Sequence, residues 1–355
     1  MKKVRAEIHL RKIKHNAEAF KRLTGNKLCA VVKADAYGHG AEAVTAALTR
    51  VADCFAVSLL DEAIAIRMAA CGKDILILTP PIDEADAYAA VCGGFVLTVP
   101  DLYTAKLAIA AAKRSGRVAR VHFKVNTGMN RYGADVRTLG RICALLLGAS
   151  EVRVEGIYSH IYEHTLAGAL YQRTLFLRAV DVCRRYFPNV TAHLSATYGA
   201  LLGKAFAFDM TRVGIGLYGY VPDGAQDIDE HVKRALALEK GMTVYAVTAT
   251  TRKYSFGGAG YGSALEKATA PKRLSVVRFG YADGFLRKKE NGVCGANRNA
   301  NNLCMDACLR MGEIRRGTWE KIVDDAAEIA RATDTISYEV LCAATRRAEI
   351  TYDYE

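Results

Sequence analysis

The chain has 355 residues, 51% of them hydrophobic and 24% charged, with 30 glycines and only 6 prolines; this composition fits a globular protein with a large core and excludes disordered, collagen-like and coiled-coil classes. At roughly 100–200 residues per domain the length allows two or three units, or one large barrel with an appendix. The 49 basic and 37 acidic residues leave a net charge of +12, but the densest basic groups, Arg287-Lys288-Lys289, Arg315-Arg316 and Arg346-Arg347, lack the interleaved aromatics of a nucleic-acid groove, so the charge reads as a basic exterior that attracts anions.

Short β-rich runs recur along the chain: Leu28–Val32, Cys54–Leu59, Ile75–Leu78, Phe95–Val99, Val121–Val125, Val154–Ser159, Val190–Leu194 and Val213–Leu217. Between them lie Ala/Leu-rich stretches of helical period, such as Asp61–Ala70, Ile82–Cys92, Asp101–Ser115 and Leu166–Phe187. Eight strand–helix units in this length predict a closed (β/α)8 TIM-type barrel over residues 1–231 rather than an open sheet, which usually stops at fewer strands. After about Glu230 the rhythm changes to Thr243–Thr251, Leu274–Phe279 and Ile350–Tyr354 as strands, with a helix around Trp319–Arg331. Residues 232–355 therefore read as a C-terminal, mostly β domain.

No apolar run approaches the ~20 residues of a membrane span, and the basic Met1–Glu7 is not followed by the apolar core of a signal peptide. Most of the ten cysteines sit singly in apolar stretches, as Cys29, Cys54, Cys143 and Cys342 do, and read as small buried hydrophobes of a reduced, cytoplasmic protein. Cys304, Cys308 and Cys294 come without a CxxC pair or paired histidines, so no metal site is expected.

In a barrel the chemistry gathers where strands end at their C-terminal edge, and Lys33 directly follows the apolar run Leu28–Val32. Most lysines are solvated surface residues. A partly desolvated one at this edge has a lowered pKa and can act as a covalent nucleophile or proton acceptor. The run Val31-Val32-Lys33-Ala34-Asp35-Ala36-Tyr37-Gly38-His39-Gly40 resembles the pyridoxal-phosphate lysine motif of the alanine racemase family, whose fold is a barrel plus a β domain. Six further segments resemble that family in the same order: 122–131, 211–219, 260–262, 280–284, 304–306 and 336–340. Leu194 stands where the family usually has Asn, Asn126 replaces a common Asp, and the β domain is shortened relative to the family.

The resemblance implies pyridoxal phosphate as cofactor and racemisation of alanine for cell-wall peptidoglycan; a serine-preferring or broad-specificity racemase and a non-catalytic pyridoxal-phosphate-binding relative are the alternatives. Removing the Cα proton and returning one to the opposite face takes two acid/base groups. The family assigns these to Lys33, which also carries the cofactor, and Tyr261, with His160 and Arg212 as a relay that sustains the phenol. Arg212 is also implied to face the pyridine nitrogen, while Tyr37, Ser195, the amides of Gly214 and Ile215, and Tyr338 hold the phosphate. Arg131 is implied to steer the substrate carboxylate and Met305 to line the same pocket; Lys124 matches a lysine carbamylated in some members. Tyr261 and Met305 belong to the β domain, and in the family they complete the partner's site in a head-to-tail homodimer.

Overall fold

The computed structural model describes residues 3–254, 272–285 and 303–353. The chain begins with β1 (Val4–His9) and α1 (Leu10–Thr24), then β2 (Lys27–Val31), the short turn of helix α2 (Lys33–Gly38) and α3 (Ala41–Leu48). Alternation follows through β3 (Cys54–Val57), α4 (Leu60–Ile66), β4 (Ile75–Ile77), α5 (Glu84–Gly93), β5 (Val96–Val99) and α6 (Leu102–Ser115). It continues with β6 (Ala119–Lys124), α7 (Val136–Leu147), β7 (Val152–Tyr158), α8 (Leu166–Arg184), β8 (Thr191–His193), α9 (Thr197–Leu201) and β9 (Met210–Val213).

β2 to β9 form one eight-stranded parallel sheet in chain order, and β9 returns to pair with β2. The remaining seam, between β8 and β9, is bridged by Asp209 N–H to Ala192 O and Arg212 N–H to Ser195 O, both at 3.0 Å. The strands are short and mostly buried because helices cover them outside and side chains fill them inside. The helices are cut to length by their own termini. Asp83, Asp101 and Asp135 each accept a backbone N–H of the first turn of α5, α6 and α7, and α5 and α6 stop at Gly94 and Gly116 in the left-handed region.

α10 (Glu230–Leu236) leads to β10 (Met242–Tyr254), β11 (Lys272–Val277), β12 (Cys308–Met311), β13 (Trp319–Val323), α11 (Ala326–Thr333), α12 (Ser337–Ala344) and β14 (Glu349–Asp353). The second sheet has the order β12-β11-β10-β1-β14, with β13 also on β10. β1 runs antiparallel to β10 and parallel to β14, so the first strand of the chain lies in this sheet and not in the barrel. Ile8, Met242 and Val244 share a single hydrophobic core with Phe20 and Leu217 of the barrel side.

Three sequence expectations are corrected. The last barrel strand is Met210–Val213; beyond it, 215–218 is a 3-10 turn, since the glycines at 214, 216 and 219 break an apolar run that reads as a strand. The helix expected around Trp319–Arg331 is strand β13 followed by α11, separated at Asp325, whose side chain accepts the Ala327 N–H. Cys342 is exposed and Cys54 half-buried, while Cys29 and Cys143 are buried as expected; α12 turns Leu341, Ala343 and Ala344 inward and leaves Cys342 on its open side. No disulfide joins the cysteines among the described residues, and among them no helix is long and apolar enough to cross a membrane.

Candidate active site

The C-terminal ends of the barrel strands surround a cavity of about 330 Å³. Lys33 enters it after β2, Ser58 after β3, Thr79 after β4, Lys124 from the end of β6, Tyr158 and His160 from β7, Thr197 after β8, and Arg212 and Gly214 from β9. Arg131, Tyr37 and Tyr338 close its sides. Parallel strands bring together residues nearly 200 positions apart for one reason: every strand of a barrel ends on the same face.

Lys33 has its pKa lowered, first by burial and then by the Arg131 guanidinium, against the raising effect of Glu62 and Cys342. The residues that follow it are unusual. Ala34, Asp35, Ala36 and Tyr37 all sit in the left-handed helical region, with φ of 52°, 51°, 52° and 55°. His39, fully buried, donates from Nδ1 to the carbonyls of Ala36 and Tyr37 at 3.0 Å each, which caps this turn and fixes the histidine tautomer.

Arg212 is buried and spends its donors on fixed acceptors. Nη1 donates to His193 Nδ1 at 2.9 Å and His193 O at 2.8 Å, and Nη2 to Ser159 O at 2.6 Å and Leu194 O at 3.2 Å. A guanidinium only donates, so His193 Nδ1 is an acceptor and its proton resides on Nε2. That proton is donated to His122 Nδ1 at 2.9 Å, which gives a directed chain Arg212→His193→His122. His193 also stacks on Tyr158, with rings 4.9 Å apart and 9° from parallel. The Tyr158 ring lies 4.6 Å from Lys124 Nζ and 5.1 Å from the Arg212 guanidinium carbon. The histidine bonded to Arg212 is thus His193, while His160 shares the cavity and is held neutral, first by burial and then by Arg212, Lys124, Arg131 and Lys33. Burial and the neighbouring Arg212 and Arg131 also push Lys124 well below the usual lysine range.

An anion cradle lies where β8 and β9 end. A Cβ on Gly214 would stand 2.5 Å from the Tyr37 hydroxyl, so the phenol reaches the backbone here only because position 214 is glycine. Burial raises the pKa of Tyr37 and of Tyr338, keeping both as hydroxyl donors. Ser195 does not reach the cavity. It is fully buried and its Oγ donates to Phe206 O at 2.5 Å; Thr197, two residues on at the start of α9, lines the cavity instead. Met305 is 53% exposed and stands apart from the cavity, although its neighbourhood is tied to Gly280–Asp283 by Ala282 N–H to Met305 O. Tyr261 lies outside the described residues. His193, Tyr158 and Thr197 were not anticipated from sequence; Tyr158 and His193 are the last residues of β7 and β8, and Thr197 follows β8 at the start of α9.

A (β/α)8 barrel with a desolvated lysine at the end of one strand, a buried arginine on the neighbouring strand and a hydroxyl-and-amide cradle beside them defines the class of barrel enzymes that use pyridoxal phosphate. The donor set suits that cofactor: an amine to bind its aldehyde, a donor-only guanidinium for its ring, and uncharged donors for its phosphate. The family model for the alanine racemase N-terminal domain matches residues 8–222, and that for the C-terminal domain matches 242–352. An alanine racemase of Deinococcus radiodurans is 32% identical, with 97% of each chain covered. The alanine racemase structure from Clostridium difficile 630 superimposes with a TM-score of 0.88 at 26% identity, covering 99% of this chain and 96% of that one. A Bartonella henselae alanine racemase described with covalently bound pyridoxal phosphate has the same fold, with a TM-score of 0.86 at 22% identity and 99% of each chain covered. The chain belongs to the alanine racemase family, pyridoxal-phosphate-dependent isomerases of amino acids.

Proposed function

We propose that the protein interconverts L- and D-alanine with Lys33 and Tyr261 as proton-handling groups on opposite faces of Cα. The observation that carries this is the Lys33 amine in the cavity, its pKa lowered by burial and Arg131, sharing that cavity with the buried Arg212. Pyridoxal phosphate, when bound, supplies the electron sink that acidifies the Cα proton. Lys33, its pKa lowered by burial and Arg131, takes up or returns that proton on its own face. Arg212, its Nη1 and Nη2 locked by four hydrogen bonds, would turn its remaining donor, the Nε–H, to the ring nitrogen and leave that nitrogen unprotonated. Arg131 orients the substrate carboxylate, and Tyr338, Tyr37, Thr197 and the amides of Gly214 and Ile215 hold the phosphate. Tyr338 retained on the wall of the cavity favours the small side chain of alanine over serine.

The same reading makes Lys124, amine-like through its lowered pKa, the site of carbamylation beside Arg131. The same reading sets the boundary between the two units at 231/232; β1 lies in the second sheet. Tyr261 and Met305 act on the site of a second copy in a homodimer, in the cytoplasm, where D-alanine feeds peptidoglycan synthesis. Incubation with L-alanine in heavy water tests the core of this: chiral analysis should reach equal enantiomers with deuterium at Cα. Retention of pure L-alanine with its Cα proton overturns it.

A further inference from the structure

The turn that follows Lys33 is costly in itself. Each L-residue in the left-handed helical region costs roughly 1–2 kcal/mol, and single residues, not runs, are the rule. Four in a row, Ala34 to Tyr37, persist only where surrounding contacts impose them. Most of the contacts are local: Asp35 Oδ1 accepts the Ala41 N–H at 2.7 Å, Gly40 N–H reaches Asp35 O at 3.0 Å, and His39 caps the far end. Among the described residues, one side chain from another element hydrogen-bonds the backbone of these four residues, and it is Glu62 of α4.

Glu62 has an ordinary role that explains only half of its contacts. As the third residue of α4 it reaches back to the start of its own helix, where Oε2 accepts Ser58 N–H at 2.7 Å and Leu59 N–H at 3.0 Å. Oε1 does something a helix cap does not require: it crosses to the loop after β2 and accepts the N–H of Ala34, the first left-handed residue, at 2.6 Å. One carboxylate thereby ties together the loops after two neighbouring barrel strands, immediately beside the lysine that points between them. We infer that Glu62 is a positioning residue for Lys33, holding the start of the left-handed turn so that the lysine is aimed into the cavity. Lys33 is faced by Arg131, Cys342, His160 and Glu62, and of these Glu62 brings the carboxylate that favours the ammonium form against burial and Arg131.

The inference rests on Lys33 being the cofactor lysine, but its test does not. In the full-length chain freed of cofactor, acylation of Lys33 by acetic anhydride is followed against pH by peptide mass spectrometry, and amide exchange at Ala34 is followed in parallel. Glu62→Gln should move the Lys33 midpoint to lower pH by about half a unit or more and speed Ala34 exchange about tenfold. With cofactor restored, kcat for alanine should fall about tenfold while KM stays within about twofold. Asp83→Ala is the control, since it removes the cap of α5, where Asp83 accepts the Asp86 N–H at 2.9 Å, without touching the turn. Unchanged Lys33 titration and Ala34 exchange in folded Glu62→Gln overturn the inference, and so do equal changes in Asp83→Ala. If Glu62→Gln does not fold, Glu62→Asp keeps the charge with a shorter reach and must still speed Ala34 exchange; wild-type exchange there overturns the inference as well. Attachment of the cofactor to another lysine, seen by borohydride reduction, defeats the reading of Lys33 and leaves the Glu62 result standing.

Discussion

Ser195 and Thr197, two positions apart in the chain, differ in what their side chains face. Ser195 ends its hydroxyl on the Phe206 carbonyl inside the wall, whereas Thr197 opens onto the cavity. Thr197→Val should therefore weaken retention of pyridoxal phosphate by about 10- to 100-fold, the worth of one hydrogen bond to a charged acceptor of about 1.5–3 kcal/mol. Ser195→Ala should leave that affinity unchanged and lower stability by about 1 kcal/mol. Fluorescence titration of the cofactor-free protein and denaturant midpoints separate the two; weakened binding in Ser195→Ala with none in Thr197→Val would reverse the assignment. At Lys33, borohydride reduction of the purified protein should fix the cofactor on the peptide carrying that residue, and its recovery on any other lysine would refute the strand-end argument.

Among the elements, α1 is the joint between barrel and second sheet, and Asn16 is the pin. Fully buried, its amide donates to Leu217 O at 2.9 Å and Glu239 O at 2.7 Å and accepts the Glu239 N–H at 2.9 Å. These acceptors lie in the 3-10 turn after β9 and in the segment that enters β10. Asn16→Ala leaves the buried Leu217 carbonyl and the part-buried Glu239 carbonyl and N–H without this partner and should cost about 2 kcal/mol of stability, read from the denaturant midpoint. A loss below about 1 kcal/mol would mean that water or a local shift replaces the amide. Towards the face of the barrel away from the cavity, Arg120 near the start of β6 binds both Asp74, just before β4, and Glu155 of β7, tying three strands together. Charge there serves stability, as the far face of a barrel usually does.

For the whole molecule, the histidine pattern sets the acid limit of the fold. Burial holds His39 and His122 at about 4, and His193 and His160 also lie well below the usual 6.5. A depressed histidine is neutral in both states above pH 6.5. Below it the unfolded chain takes up protons that the folded one refuses, so stability falls as pH drops from about 6.5 towards 4, by about 3 kcal/mol each for His39 and His122. Asp74 and Glu155, lowered by Arg120, extend the loss below that window. Denaturant midpoints between pH 8 and 4.5 should decline mainly below pH 6.5, and the slope should shrink in His122→Gln; a flat profile to pH 4.5 would refute the assignment. The proposed homodimer gives a second prediction at this scale. Lys33→Ala and Tyr261→Phe should each be inactive, yet mixed heterodimers should regain up to about half the activity of a wild-type dimer, because one of their two sites carries neither lesion. Proven heterodimers without activity would place Lys33 and Tyr261 in one subunit's site.

The sequence alone determined the alternation of strands and helices, the lysine at the end of β2 and the family to which the motifs belong. Those features are local, written in hydrophobic period and in contiguous residues such as 31–40. What it misjudged has no local signature. An apolar run broken by glycines reads equally as a strand or a turn, so the end of β9 is decided by packing of residues 215–218 against α1. The placement of β1 beside β10 and β14 joins positions more than 230 apart. The direction of a side chain at a barrel rim, which separates Thr197 from Ser195 and makes His193 the partner of Arg212, follows from the register and closure of the strands at the β8–β9 seam. The left-handed turn after Lys33 is the clearest case: Ala and Tyr have no preference for that conformation, and local bonds from Asp35 and His39 hold it together with the tertiary contacts of Glu62 and the aromatic rings around Tyr37.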